Sequence, residues 1–145
     1  MRRLIVFVIV AVLAAVAAPV RVVRAADQPA AVAQKAAEQW LALVDAGKYG
    51  ESWDEAAQMF KSAVSRKDFL SITRETRASF GKVASRKLAS AHELKNIPGL
   101  PPGEYFGLQF RSSFEKLPAA TEVVIPTLEK DGKWRVAHYV VQKAP

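Results

Sequence analysis

The chain has 145 residues, half of them hydrophobic, and its 21 Lys and Arg against 14 Asp and Glu give a formal net charge of +7. This length accommodates one domain, and the mixture of apolar and charged residues is not that of a disordered chain. The absence of cysteine excludes disulfides, thiolate metal ligands and a thiol nucleophile.

The N-terminal segment has the pattern of a secretory signal peptide. Arg2 and Arg3 precede an apolar run over residues 4–18, and small or apolar residues follow at 23–25. A basic start, an apolar middle and a small-residue exit are what a signal peptidase recognises. We predict cleavage after Ala25, with the position after Ala26 as the alternative. Cleavage after Ala25 leaves residues 26–145 as a single periplasmic or secreted domain without a membrane span. The alternative is an uncleaved membrane anchor, for which the apolar run is at the short limit.

Removal of residues 1–25 would also change the charge of the protein. This segment carries four arginines and no acidic residue, so residues 26–145 hold 17 basic and 14 acidic side chains, a net charge of +3. Most of the apparent basicity therefore belongs to the predicted signal peptide.

The first half of the domain has helical periodicity. Apolar residues recur at three- and four-residue steps from Pro29 until Gly47, which predicts an amphipathic helix. A second helix is predicted over about 50–64. Ser65 followed by Asp68 resembles a capping box, and it opens a third predicted helix that ends at Gly81.

Beyond Gly81 the apolar pattern changes to a period of two. The clearest predicted strand covers 104–114, and a weaker one covers 82–94. Asp131-Gly132 predicts a two-residue hairpin turn between strands at 121–130 and 133–142. This register would place Val123, Ile125 and Thr127 opposite Val140, His138 and Val136. The sequence thus predicts an α+β fold in which three N-terminal helices pack on a curved, about four-stranded antiparallel sheet. We expect a cone-shaped domain similar to nuclear transport factor 2, with the cystatin-like arrangement as a relative.

Four ordered blocks carry a family resemblance over about residues 30–141. They are the segments at 40–57, 81–88, 98–105 and 131–136. Together they resemble the bacterial exported family known as domain of unknown function forty-nineteen. The resemblance implies an exported single domain with a cone-like fold, and it supplies no catalytic residue.

Three side chains are candidates for a pocket inside the cone. His138 lies on the last predicted strand, on the face of Trp134, Val136 and Val140, where it could act as a general base or polar anchor. Asp54 and Tyr49 could act as the carboxylate and the hydroxyl of an isomerase-like site, with Tyr105 or Tyr139 as alternatives for the hydroxyl. The alternative for His138 is a histidine with a purely structural hydrogen bond at the margin of the sheet. The alternative for Asp54 is a carboxylate near the start of a helix, where its negative charge complements the helix dipole.

The mature chain has an uneven charge distribution. Residues 61–87 carry eight basic side chains against two acidic ones, and Arg66, Lys67, Arg86 and Lys87 could together face an anionic partner. The alternative is that these side chains pair with the acidic first helices. An exported protein without stacking aromatic residues among these charges is not expected to bind nucleic acid.

The sequence leaves three functions open. The first is a non-enzymatic binding or accessory module for a small hydrophobic ligand or an anionic envelope component. The second is an isomerase- or dehydratase-like enzyme with a pocket inside the cone. The third is a surface-interaction protein that uses the basic segment, with a homodimer through its sheet as one form. Only two histidines are present, without a metal-ligand spacing, and no nucleotide-binding motif occurs, so we predict no metal and no cofactor.

Overall fold

The structure is a computed structural model, and it describes residues 28–145. The predicted signal peptide and its cleavage site lie outside the described residues. Four helices precede four strands, which confirms the predicted α+β class. In chain order the elements are α1 Pro29–Asp45, α2 Tyr49–Asp54, α3 Gln58–Ala63, α4 Arg66–Phe80, β1 Val83–Leu94, β2 Tyr105–Phe114, β3 Leu117–Leu128 and β4 Trp134–Lys143.

The strands form one antiparallel sheet in the order β1-β2-β3-β4, so every strand pairs with its neighbour in sequence. Helix α1 lies across the sheet and contacts all four strands. No helix within residues 28–145 is long and apolar enough to cross a bilayer.

The second helix was predicted as one element, but the structure divides it into two. Within residues 28–145 the structure therefore has four helices and not the predicted three. The break between α2 and α3 lies at residues 55–57. Ala56 and Ala57 are fully buried there, and the Ala57 N–H donates to the Val136 carbonyl oxygen at 2.9 Å. An amide bonded to a strand cannot also bond within a helix, so contact with β4 interrupts the helical periodicity.

The start of α4 is confirmed by its cap. The Ser65 hydroxyl accepts a hydrogen bond from the Asp68 N–H at 3.1 Å and donates to the Asp68 carboxylate at 2.6 Å. At the other end Gly81 has φ +76°, a conformation that a side chain disfavours, and the chain turns there into β1.

The β3–β4 hairpin lies where it is predicted, but its loop has three residues and not two. The Gly132 N–H donates to the Glu129 carbonyl oxygen, and the Glu129 N–H donates to the Lys133 carbonyl oxygen, both at 2.9 Å. Gly132 has φ +79°, as the last residue of such a three-residue loop requires.

The register of β3 and β4 is confirmed in two of its three predicted pairs. Val123 pairs with Val140 and Ile125 with His138, but Thr127 pairs with Arg135 and not with Val136. The ladder shifts between Ile125 and Pro126, where Ala137 is an extra residue in β4, a β-bulge.

The core between helices and sheet is aromatic at its centre. Trp40 lies 6.0 Å from Phe60, 6.3 Å from Phe69 and 5.2 Å from Tyr139, measured between ring centroids. Its indole N–H donates to the Ser52 carbonyl oxygen at 2.7 Å, so the ring is both packed and hydrogen-bonded. The side chains packed between α1 and the sheet are apolar: Leu41 and Val44 from α1, and Leu108, Phe110, Val124 and Val136 from the strands.

Candidate functional site

The three candidate pocket residues do not come together. Asp54 lies at the end of α2, beside the groove between α1 and the β3–β4 hairpin. Tyr49 lies at the start of α2 beside a different surface groove, and His138 lies on β4 facing a third. A catalytic role for any one of them stays a prediction, but the fold does not place the three side chains in one site.

Asp54 is engaged in a surface ion pair. The Arg66 guanidinium donates to both of its carboxylate oxygens, at 3.1 and 3.2 Å. These hydrogen bonds and the positive charge hold the pKa of Asp54 below its usual value. A general base near neutral pH needs the opposite shift, so the pair leaves Asp54 poorly suited to proton abstraction.

His138 is exposed, and the predicted face of β4 is wrong beyond the bulge. Regular alternation from Val136 would place His138 on the inner face. Because Ala137 is an extra residue, the alternation changes phase and Tyr139 occupies the inner position instead. The side chain of Tyr139 packs against the core.

The four basic side chains proposed for an anionic partner do not form one surface. Arg66 is paired with Asp54, and Arg86 points into the interior, where it is 15% exposed. Lys67 and Lys87 remain exposed to solvent. The basic segment therefore places only part of its charge at the surface, and part of it pairs with the acidic helices.

The interior contains a group of polar side chains that the sequence analysis did not predict. Six elements contribute one side chain each, and we call this group the buried ion cluster. Its members are Asp45 from α1, Arg77 from α4, Arg86 from β1, Ser112 from β2, Glu122 from β3 and Tyr139 from β4.

Arg86 links the two carboxylates of the cluster. Its Nε donates to Glu122 Oε2 at 2.6 Å and its Nη2 donates to Glu122 Oε1 at 3.0 Å. The same guanidinium donates to both oxygens of Asp45, at 2.6 and 3.1 Å. This bidentate geometry is the strongest arrangement of an arginine with carboxylates.

Arg77 completes the connection between helix layer and sheet. Its Nη1 donates to Asp45 at 2.9 Å, and its Nη2 donates to the Tyr139 hydroxyl at 3.1 Å. Nη2 also lies 3.7 Å from Glu122 Oε1, and the guanidinium carbon lies 5.1 Å from the centre of the Phe114 ring. Two arginines therefore balance two carboxylates, so the cluster is neutral as a whole.

Glu122 is fully buried and fully hydrogen-bonded. Besides Arg86, the Ser112 hydroxyl donates to its Oε2, and the Tyr139 hydroxyl donates to its Oε1 at 2.7 Å. Burial raises the pKa of this carboxyl group, but the hydrogen bonds and charge of Arg86, with the two hydroxyl donors, outweigh burial and lower it. Glu122 is thus an anion held by donors and is not a proton acceptor.

Tyr139 and Arg86 are held in one protonation state as well. Burial and then the charge of Glu122 raise the pKa of Tyr139, so its hydroxyl keeps the proton that it donates. Burial lowers the pKa of Arg86, but the hydrogen bonds that Arg86 donates to Asp45 and Glu122, with their negative charge, outweigh burial and raise the value. Among the described residues no buried side-chain nitrogen or oxygen lacks a partner.

A large concave surface in the described part of the chain lies between α1, α2 and the β3–β4 hairpin. This α1–hairpin groove has a volume of about 790 Å³. Its lining is both apolar and charged: Val32, Lys35, Ala36, Gln39, Trp40, Leu43, Glu51, Asp54, Glu55, Gly132, Lys133, Trp134, Arg135 and Val136. Within residues 28–145, no group of three or more His, Asp or Glu side chains is placed to hold a metal ion.

A smaller groove lies between α3, α4 and β4, and we call it the edge groove. Its volume is about 380 Å³, and it is lined mainly by apolar side chains, including Phe60, Phe69, Ile72 and Val140. Ile72 is 59% exposed and Val140 41% exposed, both unusual for large apolar residues.

The comparisons with known proteins agree with this fold and assign no activity. A solved 2.5 Å structure from Catenulispora acidiphila is similar at a TM-score of 0.52 and 14% identity, over 77% of this chain and 88% of that chain. The curated proteins contain no match to the sequence. The family described as "Protein of unknown function (DUF4019)" matches residues 36–139. The chain therefore belongs to the DUF4019 family.

Proposed function

We propose that this protein is an exported, non-enzymatic binding module of the cone-shaped class similar to nuclear transport factor 2, and that it binds its ligand in the α1–hairpin groove. The observation that carries the proposal is the state of the interior. The one fully buried carboxylate among the described residues, Glu122, is held as an anion by four donor side-chain atoms, and a cluster of apolar side chains packs elsewhere between the helices and the sheet.

The enzyme alternative lacks the group that it needs. An isomerase of this shape requires a carboxylate or histidine with a raised or near-neutral pKa inside a cavity. Glu122 has a lowered pKa, Asp54 is paired with Arg66 at the surface, and His138 lies outside the cone. The surface-interaction alternative is weakened in the same way, since Arg66 and Arg86 already have carboxylate partners.

The α1–hairpin groove has the composition of a ligand site. Its volume falls within the range of about 300–1,000 Å³ that small-molecule sites occupy. Val32, Leu43 and Trp134 give it apolar surface, and acidic residues of α2 and basic residues of the hairpin also line it. We infer that its ligand is a small amphipathic molecule with an apolar body and at least one charged group.

Export is the first part of the proposal that can be tested. The protein expressed from its full sequence in a bacterium should be recovered from the periplasm or medium with residues 1–25 absent, as shown by intact mass. Replacing Ala25 and Ala26 together by arginine should block this processing, because a signal peptidase requires small residues at the cleavage site. A full-length chain in the membrane fraction would show an anchor instead.

Ligand binding is tested with 8-anilinonaphthalene-1-sulfonate, an aromatic molecule with one anionic group. It should bind saturably, and at a tenfold excess over Kd it should stabilise the protein by about 1.4 kcal/mol, which is a few degrees of Tm. Val32→Asp, at an exposed wall of the α1–hairpin groove, should weaken binding about tenfold or more, because the apolar body would meet a carboxylate.

The matched control is Ile72→Asp, which places the same charge on an exposed position of α4 in the edge groove. This variant should bind the probe as the wild type does. If Ile72→Asp weakens binding more than Val32→Asp, the ligand site is the edge groove. Stabilisation by dextran sulfate and not by the small probe would favour an anionic envelope component bound at the surface.

A further inference from the structure

The two edges of the sheet are protected to very different degrees. The pairing of β1 with β2 shifts register twice, between Val83 and Ser85 and between Leu88 and Ser90, and exposed charged residues such as Lys87 and Glu93 occur along the strand. Irregular pairing and charge are how natural proteins prevent a free edge from pairing with another strand. The β1 edge is therefore closed to a partner.

The β4 edge lacks this protection over most of its length. β4 pairs with β3 on one side, and within residues 28–145 no strand pairs with its other side. The stretch from Val136 to Val141 carries no formal charge at neutral pH with His138 neutral, and its single bulge, at Ala137, lies near one end. The Ala57 N–H bonds to Val136, so the unprotected part runs from Ala137 to Lys143.

The exposed apolar residues are concentrated beside this edge. Of the three large hydrophobic side chains that are exposed among the described residues, Ile72 and Val140 line the edge groove next to β4, Ile72 on the helix side of the sheet and Val140 on the opposite face. A strand that paired with β4 would cover Val140 directly and bring its own side chains toward Ile72 and the groove. The free backbone groups at the edge of β4 can therefore pair with an extended strand, and the edge groove can accommodate apolar side chains of that strand.

We propose that the occupant is β4 of a second copy of this chain, paired antiparallel to form a continuous eight-stranded sheet. A strand paired with its own copy about a two-fold axis buries the same residues on both sides and uses up both edges. Because the β1 edge is protected, the assembly stops at two copies. The second copy also offers what the site requires, since residues 136–142 of its β4 form an extended segment without formal charge.

The expected size of the interface agrees with a weak dimer. Seven paired residues span about 24 Å, and a sheet with one helix layer is about 20 Å thick, so each copy would bury close to 500 Å². The total of about 1,000 Å² is the lower limit for a specific interface. We therefore expect dissociation in the micromolar range. This inference is independent of the proposed ligand and of the α1–hairpin groove.

Sedimentation velocity of the processed protein from about 1 to 200 μM tests the proposal. The wild type should change from monomer to dimer across this range. Val140→Lys should raise the dissociation constant on the order of a hundredfold, because a lysine would be desolvated at the centre of the new strand pair. Val32→Lys is the matched control, since Val32 and Val140 are both 41% exposed and Val32 lies away from β4.

Ile72→Lys provides a second variant on a different element and should also favour the monomer. Amide hydrogen exchange adds a structural readout, because amides of residues 137–143 should become protected as the wild-type concentration rises, but not in Val140→Lys. A monomeric wild type at 200 μM would overturn the proposal. So would a dimer that survives both Val140→Lys and Ile72→Lys, or one that Val32→Lys disrupts equally. Binding of an unrelated apolar peptide to β4 of a monomeric protein would assign the edge to another partner and would also overturn it.

Discussion

Replacing Arg86 by methionine should lower the free energy of unfolding by about 3–5 kcal/mol, the range observed when one partner of a buried ion pair is removed. Methionine fills a comparable length of the site but donates no hydrogen bond. Glu122 would lose two donors and Asp45 two more, and the remaining cluster would carry an uncompensated negative charge in the interior. Chemical denaturation at pH 7 measures the difference directly.

The control for this prediction is Arg66→Met. Arg66 also donates to both oxygens of a carboxylate, that of Asp54, but about half of each side chain is exposed. Water solvates the carboxylate when such a partner is lost, so this variant should unfold close to the wild-type denaturant concentration. Equal effects of the two substitutions would mean that the buried ion cluster contributes no more than a surface pair.

A double substitution tests whether the cluster acts as a unit. Arg86→Met combined with Glu122→Leu removes both charges of one pair and leaves Arg77 with Asp45. We expect the double variant to be more stable than the sum of the two single effects indicates, with a coupling of about 0.5–3 kcal/mol. Additive losses would show that Arg86 is stabilised mainly by Asp45.

The sequence predicted those elements whose signals are local. α1 and α4 have an apolar stripe at helical spacing, and Ser65 with Asp68 marks the first turn of α4. The strands were found from their alternation, and Gly132 marked the hairpin. Each of these signals depends on residues a few positions apart, which is the range over which helix caps, stripes and turns are determined.

The errors occurred where a distant segment decides the local conformation. Residues 50–64 have a helical stripe throughout, and only the hydrogen bond from Ala57 to Val136 in β4 divides them. In β4 the bulge at Ala137 changes which face each later residue occupies, so the alternation that placed His138 inside placed Tyr139 outside. Nothing in the local sequence marks the bulge.

The buried ion cluster was missed for a related reason, although part of it left a signal. Its six members extend from Asp45 to Tyr139, and only the fold brings them together. Glu122, however, stands between Ala120 and Val124 at alternate positions of a strand whose inner face is apolar. A charged residue at such a position requires a buried partner, and Arg86, which interrupts the alternation of the weakest predicted strand, was the basic residue to consider.

The cluster also supports the placement of the proposed ligand site in an outer groove and not between the helices and the sheet. A pocket inside this fold would need space between the sheet and the helices, where Arg77, Arg86 and Glu122 join them through side chains from both layers. Opening that space would expose these ion pairs one at a time, and each intermediate would contain an unpaired buried charge.

Glu122→Gln should lower stability at neutral pH and remove part of the acid sensitivity of the wild type. The pKa of Glu122 is lower in the folded protein than its ordinary value of 4.5. The unfolded chain therefore binds a proton more readily, so the stabilisation from this carboxylate is complete above about pH 4.5 and is lost as the pH falls from there through the folded pKa. Denaturant titrations at pH 7, 5, 4 and 3 should show a smaller decrease of the unfolding free energy for the glutamine variant across this interval.

Asp131→Asn separates this effect from that of a surface carboxylate. Hydrogen bonds from Arg135 and from the Lys133 N–H lower the pKa of Asp131 from 3.8 to about 2, so its contribution disappears only between those two pH values. Because Asp131 is exposed, salt should screen that contribution, whereas the Glu122 contribution should persist at high ionic strength.

At pH 7 the Glu122→Gln substitution should lower the free energy of unfolding by about 3–5 kcal/mol, since Arg77 and Arg86 would then share the single charge of Asp45. The unfolding free energy of Glu122→Gln could instead fall in parallel with that of the wild type from pH 5 to pH 3. Glu122 would then not be the acid-sensitive group, and the lowered pKa assigned to it in the folded protein would be wrong.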